Sequence, residues 1–488
     1  MNYLSVDYLI VYAFLAVTLF IGLRAGRGIK DIREYAIANK SFRTGALVLT
    51  YLATNIAGGS VIGMVEDIYT NGIIITVALL GLFVSYLFIA VFIAPKAADF
   101  DNCITMGDLM GTLYDKKSKV IAGTLGTLTA VSLAGMELIL LGVISETLLG
   151  IKAEWTIVVG GLLLAAYSAY GGIKSVTSTD VFQFLVLIIV IPFIAYMVIN
   201  KVGGLKEVFI QAPRERLAIF NHEKFSFYLV LFLMWTILPV GMIDPAIIQR
   251  LLMGKNRRQL RDQYLVIAAF DPAFQLAIML IGLGALVLYP AIEAKNIIPH
   301  MIQELLPVGA KGMAMAGLLA ISISSIDSFL HAAGLTFMHD VIKPFTDQKN
   351  ININELKWVR YITLFISLAA ITIGLNTTNT FGLLLNSLEF TEPALMFPLL
   401  SGIMGLKTDK RSFYTAMFIT TGAFITSKLL LPPAQEHFTI LISIAANGIS
   451  FLGMHIIQNK GLAIVRRTQG KEVLWRPRRK DILGTLRH

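Results

Sequence analysis

Long apolar stretches separated by short polar segments run through almost the whole chain. A helix needs about 20 apolar residues to cross a hydrocarbon core of roughly 30 Å, and most of these stretches reach that length. The pattern therefore predicts an all-α polytopic membrane protein without a separate soluble domain. We predict about thirteen transmembrane helices, near residues 5–23, 44–65, 72–95, 119–148, 154–171, 178–200, 226–249, 263–289, 310–341, 357–375, 378–405, 412–430 and 436–458.

Two of the predicted spans contain residues that interrupt a helix. The second span contains Thr54–Ser60, with the sequence TNIAGGS, and the seventh contains Pro239–Pro245, with the sequence PVGMIDP. Backbone N–H and C=O groups that lose their helical hydrogen bonds inside a membrane are tolerated only where they line a site enclosed by protein or filled with water. Interruptions at corresponding positions of two halves indicate an inverted-repeat transporter, whose unwound carbonyls bind a cation and whose half-helix N-termini face a substrate anion. The alternative for Gly58 and Gly59 is close helix packing, which small residues also permit.

Composition and charge support the membrane assignment. Only 15% of the residues are charged, and the mean hydropathy is +0.72. On the predicted spans, 32 of the 41 Lys and Arg residues fall on one side, which the positive-inside rule assigns to the cytoplasm. This predicts an inner-membrane protein with its N-terminus outside, its C-terminus cytoplasmic, and its basic tail against lipid rather than nucleic acid. Cys103 is the only cysteine, which excludes a disulfide framework and a cysteine metal site.

Three stretches resemble the sodium/solute symporter family, which includes proline, pantothenate and sugar transporters. They are Ser60–Gly72, Tyr170–Gln183 with its Gly-Gly, Thr-Asp and Gln pattern, and Ser324–Ser328 followed by Asp340 and Pro344. The resemblance implies a five-plus-five inverted-repeat core of the leucine-transporter type. The implied division is an extra helix and loop at 1–43, repeats at 44–200 and 226–405, two extra helices at 406–458 and a basic cytoplasmic tail at 459–488.

The resemblance also implies a sodium site and makes sodium the expected coupling ion. Its ligands are expected to be the carbonyls of Ala53, Ile56 and Ile321 and the hydroxyls of Ser324 and Ser325. The alternative for these serines is a bond back to a carbonyl one turn earlier, the usual fate of a lone membrane serine. Asp180 is either a further ion-binding position on the exit path or a helix-terminal charge paired with Lys174.

Carboxylates within the spans depart from the family pattern, and charges there usually mark a pathway or an ion pair. His331 is the basic residue expected at a similar depth, and its helix neighbour Asp327 is a candidate partner. The acidic excess favours a small-molecule substrate with a positive group, such as an amino acid or amine, or else proton coupling. No role is assigned to Glu66, Asp67 and Glu392. The alternative interpretation is that Glu66 and Asp67 lie in water and that Glu389 caps a helix. The predicted substrate-binding residues are Gly58, Gly59, Ser60, Glu137, Asp244, Asn386 and Glu389.

These observations together predict sodium-coupled symport of a small solute by alternating access. Proton-coupled transport on the same fold and a solute-binding membrane sensor are the alternatives. An enzyme is not expected, because His300, His331 and His339 are scattered and form no metal-spaced or nucleophile–base motif.

Overall fold

The computed structural model describes residues 5–237, 243–377, 389–407, 409–432, 435–468 and 471–475. Within these ranges the chain is a bundle of helices with one short β-hairpin. The α-helices, labelled in chain order, are Val6–Ala25 (α1), Ile32–Ile37 (α2), Thr44–Asn55 (α3), Gly58–Asn71 (α4), Thr76–Phe88 (α5), Ala94–Ala97 (α6), Met106–Leu113 (α7), Lys116–Ile144 (α8), Ala153–Trp155 (α9), Gly161–Val202 (α10), Leu205–Gln211 (α11), Phe225–Ile237 (α12), Pro245–Leu252 (α13), Arg257–Leu288 (α14), Ile297–Leu305 (α15), Ala310–Thr336 (α16), Lys343–Gln348 (α17), Glu355–Asn376 (α18), Thr391–Met404 (α19), Lys410–Leu430 (α20) and Phe438–Asn459 (α21).

Short segments of other helical types continue or join these helices. The π-helical segments are Ile89–Ile93, Ser145–Leu149, Thr156–Gly160 and Phe337–Ile342. The 3-10 helices are Ala38–Lys40, Gly72–Ile75, Arg214–Leu217 and Ala294–Asn296.

Eight helical runs in the described part of the chain are long and apolar enough to cross a membrane. The prediction of a helical, multi-pass membrane protein is therefore confirmed, while the exact number of spans stays a prediction. The predicted spans 154–171 and 178–200 form one continuous run, Ala153–Val202. A straight helix of that length would measure about 75 Å, far more than a bilayer core. The run bends at Gly172, whose φ of 50° and ψ of −152° are not helical, so each arm has the length of a single span.

Helix α16 forms the centre of the bundle. Every residue from Ala314 to Thr336 is buried, and the helix packs mainly against α8 and α10, with further contacts to α3 and α13. Many residues on α16 are Gly, Ala or Ser, which let helix backbones approach closely in a membrane. This helix therefore places Ser324 and Ser325 deep inside the protein.

Both predicted helix interruptions fall between separate helices. Helix α3 ends at Asn55 and α4 begins at Gly58, with Ile56 (φ −87°, ψ 68°) and Ala57 (φ −77°, ψ 169°) in non-helical conformations between them. The predicted end of this span at residue 65 is wrong, because α4 continues to Asn71. In the second interruption, α12 and α13 are separated by 238–244, of which 238–242 lie outside the described residues.

The basic C-terminal segment begins with an element that the apolar pattern did not predict. Strands β1 (Ile464–Thr468) and β2 (Lys471–Trp475) form an antiparallel hairpin. A bridge between Leu406 and Ile464 joins it to the loop after α19, where the Lys407 N–H donates to the Ala463 carbonyl at 2.8 Å.

We predict that Gly172→Ala destabilises the protein. A Cβ at this position would lie 2.6 Å from Cδ2 and 2.7 Å from the carbonyl oxygen of Tyr35, and φ is positive. Strain and overpacking of this kind cost about 1–3 kcal/mol, so the melting temperature of the purified protein should fall. Gly453→Ala is the matched control, because Gly453 lies in α21 with nothing within 4 Å of its added Cβ. Equal melting temperatures for the two variants would contradict the prediction.

Candidate functional site

The first helix break lies against the serine pair of α16. The Ser324 hydroxyl donates to the Ala53 carbonyl at 3.0 Å and to the Ile321 carbonyl at 2.9 Å, and the Ser325 hydroxyl donates to Ile321 at 3.2 Å. The predicted bond back to a carbonyl one turn earlier is thus present, but it does not exclude the ion site. Each hydroxyl oxygen keeps lone pairs for a cation. Four of the five predicted ligand residues lie together, and Ile56 follows α3 at the break itself.

The start of α4 is in contact with a buried carboxylate. The Gly58 N–H donates to Oε2 of Glu137 on α8 at 3.2 Å, and Glu137 is completely buried. A Cβ on Gly58 would lie 2.6 Å from the Ser322 hydroxyl and 2.8 Å from the Glu137 carboxylate. Glycine is therefore required for this close approach. Gly59 and Ser60 belong to the same helical turn, but their side chains lie outside the described residues.

The start of α13 carries a second carboxylate. Asp244 is the N-cap residue, and its Oδ1 accepts from the Ala246 N–H at 2.7 Å. Pro245 follows at the first helical position, where its missing N–H has no cost. Glu392, in the first turn of α19, is buried within electrostatic range of Asp244. Asn386, the remaining predicted substrate residue in this region, lies outside the described residues.

Asp180 has a different partner from the predicted one. Lys174 forms an ion pair with Glu34 at 2.5 Å, so its predicted pairing with Asp180 is wrong. The hydrogen bond from Lys174, followed by one from the Lys30 N–H, lowers the pKa of the Glu34 carboxyl below its ordinary value. Asp180 is completely buried and pairs with Arg250 at 3.1 Å. The sequence did not point to this partner because Arg250 comes 70 residues later in the chain.

Two further charged groups have partners in the structure. Glu389 forms an ion pair with Lys428 on α20 at 2.6 Å, and its place in the substrate site stays a prediction. Asp67 is half-buried, and the hydroxyl of Tyr228 lies 2.6 and 2.7 Å from its two carboxylate oxygens.

Asp327 and His331 do not form the suggested pair. Asp327 accepts a short hydrogen bond from Tyr167, whereas the His331 ring contacts the Gln249 amide at 3.0 Å.

An aromatic and acidic group beside the break was missed by sequence reasoning. The Asn55 amide donates to the Tyr86 hydroxyl at 2.8 Å, and the rings of Tyr51 and Tyr264 meet at a centroid distance of 5.2 Å. Asp271 is buried on α14 within electrostatic range of Tyr51 and Tyr86. An acidic residue directly before Pro272 in an apolar span is the signal that could have identified this position.

Asp108, His339 and Asp340 lie close enough together to hold a metal ion. The Lys119 amine already occupies this cluster, at 2.5 Å from Asp108 and 3.5 Å from Asp340. Burial acts to raise the pKa of Asp108, but hydrogen bonds and charge from His339 and Lys119 outweigh it, so that pKa lies below its ordinary value. The Lys119 amine therefore makes this cluster an ion-pair network.

A family model described as the sodium:solute symporter family matches residues 35–419, which include both breaks, the serine pair and Asp180. The chain belongs to the sodium:solute symporter family. The family predicted from the sequence motifs is thus confirmed. Membership makes this protein a multi-pass plasma-membrane transporter that couples sodium to the symport of a small solute by alternating access.

The symporter is similar to named relatives over 76% of its length. A sodium/proline symporter of Staphylococcus aureus is 22% identical over 391 residues, which cover 76% of each chain. The corresponding protein of Staphylococcus aureus strain JH9 is 23% identical over 389 residues, covering 76% of this chain and 75% of that protein.

Solved transporter structures share the fold. A sodium-coupled sialic acid symporter in a substrate-bound, outward-open state superposes with a TM-score of 0.81 at 17% identity, covering 93% of this chain and 98% of that chain. Mhp1, a nucleobase-cation-symport-1 family transporter, gives a TM-score of 0.60 at 14% identity, covering 88% of this chain and 95% of that chain. At these identities the likeness concerns the fold alone.

We predict that Gly58→Ala lowers solute uptake by about tenfold or more, because small displacements of a positioned group have effects of that order. The new methyl group would collide with Ser322 and Glu137 and push α4 away from α8. Gly63→Ala, in the same helix, is the matched control, because its added Cβ has nothing within 4 Å. Uptake into proteoliposomes at equal protein content measures the effect. Similar losses in both variants would show that helix composition, not the contact at Gly58, is responsible.

Proposed function

We propose that this symporter uses an inward sodium gradient to take up a small solute with a positively charged nitrogen, such as an amino acid or amine. One observation carries the proposal for the solute. The N-termini of both half-helices that follow a break, α4 and α13, are already occupied by carboxylates of the protein, those of Glu137 and Asp244.

A helix N-terminus carries a partial positive charge and is a common place for an anion. With Glu137 and Asp244 in that position, the earlier expectation of a substrate anion at the half-helix N-termini loses its support. In the described part of the chain, Asp244 and Glu392 form no ion pair with a basic side chain. Buried charge is costly unless it is paired, so a cationic group on the solute is the complement that this region favours.

The names of the relatives support the same chemical class of solute. The curated proteins from Staphylococcus aureus are named sodium/proline symporters, and proline carries a charged secondary amine at neutral pH. This analogy supports an amino-acid-like solute for the present symporter, while the carboxylates at the two breaks support its cationic group.

We propose that sodium binds where the end of α3 meets α16. The ligands would be the carbonyls of Ala53, Ile56 and Ile321 and the hydroxyls of Ser324 and Ser325, all oxygen donors. In this arrangement the ion holds the end of α3 against α16 and favours the conformation that binds solute from outside. Such coupling requires that sodium bind one conformation more tightly than the other.

The proposed orientation places the N-terminus outside and the C-terminus in the cytoplasm. It is supported by the positive-inside distribution of Lys and Arg over the predicted loops. The repeats proposed at 44–200 and 226–405 each begin with one of the two broken helices, as expected for an inverted-repeat transporter.

We predict that Ser324→Ala and Ser325→Ala each raise the sodium concentration needed for half-maximal uptake about tenfold, because each removes one oxygen ligand worth roughly 1.4 kcal/mol. Ser443→Ala is the control, since it also removes a buried hydroxyl, one without a hydrogen-bond partner among the described residues. Uptake is measured against sodium concentration in proteoliposomes. An unchanged sodium dependence of uptake in both variants would contradict the proposed ion site.

We predict that Asp244→Asn weakens binding of amine-bearing solutes by roughly 10- to 100-fold, the loss expected when a charged hydrogen-bond partner is neutralised. Asparagine is also a good N-cap residue, so α13 should remain intact. The measurement is competition for uptake by pairs of compounds that differ only in a charged amine. Asp262→Asn, an exposed carboxylate in α14, is the control. Equal competition by charged and uncharged compounds in the parent protein would contradict a cationic solute, and uptake that follows pH instead of sodium would favour the proton-coupled alternative.

A further inference from the structure

In the described part of the protein, Arg250 has the largest side chain that is completely buried. Its Nη2 donates to Asp180 Oδ2 on α10 at 3.1 Å and to the Ser328 hydroxyl on α16 at 2.6 Å. Its Nη1 donates to the Ala246 carbonyl at 2.9 Å. One guanidinium therefore connects the short helix α13 to two long helices of the bundle.

Helix α3 joins the same polar group. The Thr50 hydroxyl donates to Asp180 Oδ2 at 2.5 Å, and the Thr54 and Ser328 hydroxyls lie 3.2 Å apart. We call Thr50, Thr54, Asp180, Arg250 and Ser328 the inner cluster; each is at most 2% exposed. The half-helices next to the two breaks thus meet α10 and α16 at one buried point.

The hydrogen bonding of the inner cluster is incomplete. Arg250 Nε and Asp180 Oδ1 have no hydrogen-bond partner among the residues that the structure describes. By contrast, Arg257 at the protein surface binds both oxygens of Asp99, at 2.7 and 2.9 Å. A buried ion pair must offset the cost of removing two charges from water, and it does so fully only when its remaining donors and acceptors are satisfied. Arg250 and Asp180 are therefore hydrogen-bonded less completely than Arg257 and Asp99, as expected of a contact that breaks and re-forms.

The inner cluster lies on the cytoplasmic side of the first break in the proposed orientation. Helix α3 begins at Thr44, directly after the predicted cytoplasmic loop, and α13 ends just before the basic segment Lys255–Arg261. We infer that a path from the break to the cytoplasm between these four helices would run past the inner cluster, because its side chains connect all four.

We propose that Arg250, held by Asp180 and Ser328, is the inner gate of this symporter, and that its contacts break each time the pathway opens to the cytoplasm. Thr54 directly follows Ala53, and Ser328 lies one helical turn after Ser324. Sodium bound at Ala53 and Ser324 would hold α3 and α16 together and so keep the gate closed. This link to sodium rests on the proposed ion site, whereas the gate itself rests on the inner cluster alone.

The test measures whether the cytoplasmic side opens when the gate is removed. Cys103→Ser removes the only cysteine, and Ala36→Cys introduces a reporter at a completely buried position whose carbonyl accepts from the Gln249 amide at 2.5 Å. A membrane-impermeant thiol reagent is applied to the cytoplasmic face of inside-out vesicles in the presence of sodium. We expect Arg250→Gln to raise the labelling rate at position 36 about tenfold, because the rate follows the fraction of molecules open to the cytoplasm and that fraction should rise about tenfold.

Two further variants make the result decisive. Arg257→Gln, which removes the surface ion pair with Asp99, should leave the labelling rate unchanged. The double variant Arg250→Gln with Asp180→Asn does not leave Asp180 as a buried charge without its partner and should label as fast as Arg250→Gln. It decides the outcome if the single variant does not fold.

Parent-like labelling in a folded gate variant would overturn the proposal and make the inner cluster a static link. Solute uptake is not needed for this measurement. Fast labelling in the gate variants would support the gate. If sodium does not change the labelling rate of the parent protein, the same experiment would contradict the proposed sodium site.

Discussion

A backbone amide or carbonyl that leaves a helix inside a bilayer must find another polar partner, because lipid offers none. The non-helical residues Ile56 and Ala57 are tolerated because the protein surrounds them. Helix α16 lies on one side, where the Ser324 hydroxyl meets the Ala53 carbonyl, and Glu137 of α8 accepts from Gly58 on the other. The broken helix, the buried serines and the buried carboxylate therefore depend on each other, and removing one partner leaves the others with unsatisfied groups.

This dependence explains why the central helix is the most buried of the candidate spans in the described part of the chain and nevertheless carries polar side chains. Over its buried length α16 carries Ser322, Ser324, Ser325, Asp327 and Ser328, and several of these groups contact a different helix. Small residues bring the neighbouring helices close enough for hydroxyl groups to reach their backbones. The same packing that stabilises the bundle thus positions the residues of the proposed ion site and of the inner cluster.

The sequence was sufficient for the family, the membrane fold, both helix breaks and the serine pair, because glycine, proline and the local motifs carry that information. It was insufficient for partners that come from distant helices. Nothing in the local sequence marks Arg250 as the partner of Asp180, because their contact depends on where the fold places α13 relative to α10. The end of the second span was placed too early for a related reason. Glu66 and Asp67 lower the local hydropathy, yet Tyr228 satisfies Asp67 and α4 continues past both residues.

The occupied N-termini of the two half-helices have a consequence for how such a protein changes its cargo over evolution. The breaks expose backbone amides whatever the side chains are, and in this chain Glu137 and Asp244 cover them. Short neutral residues at these two positions would leave the same backbone with two uncovered amide ends, which attract anions. Under the proposed function, replacing two side chains would therefore reverse the charge of the accepted solute while the helix arrangement stays as it is.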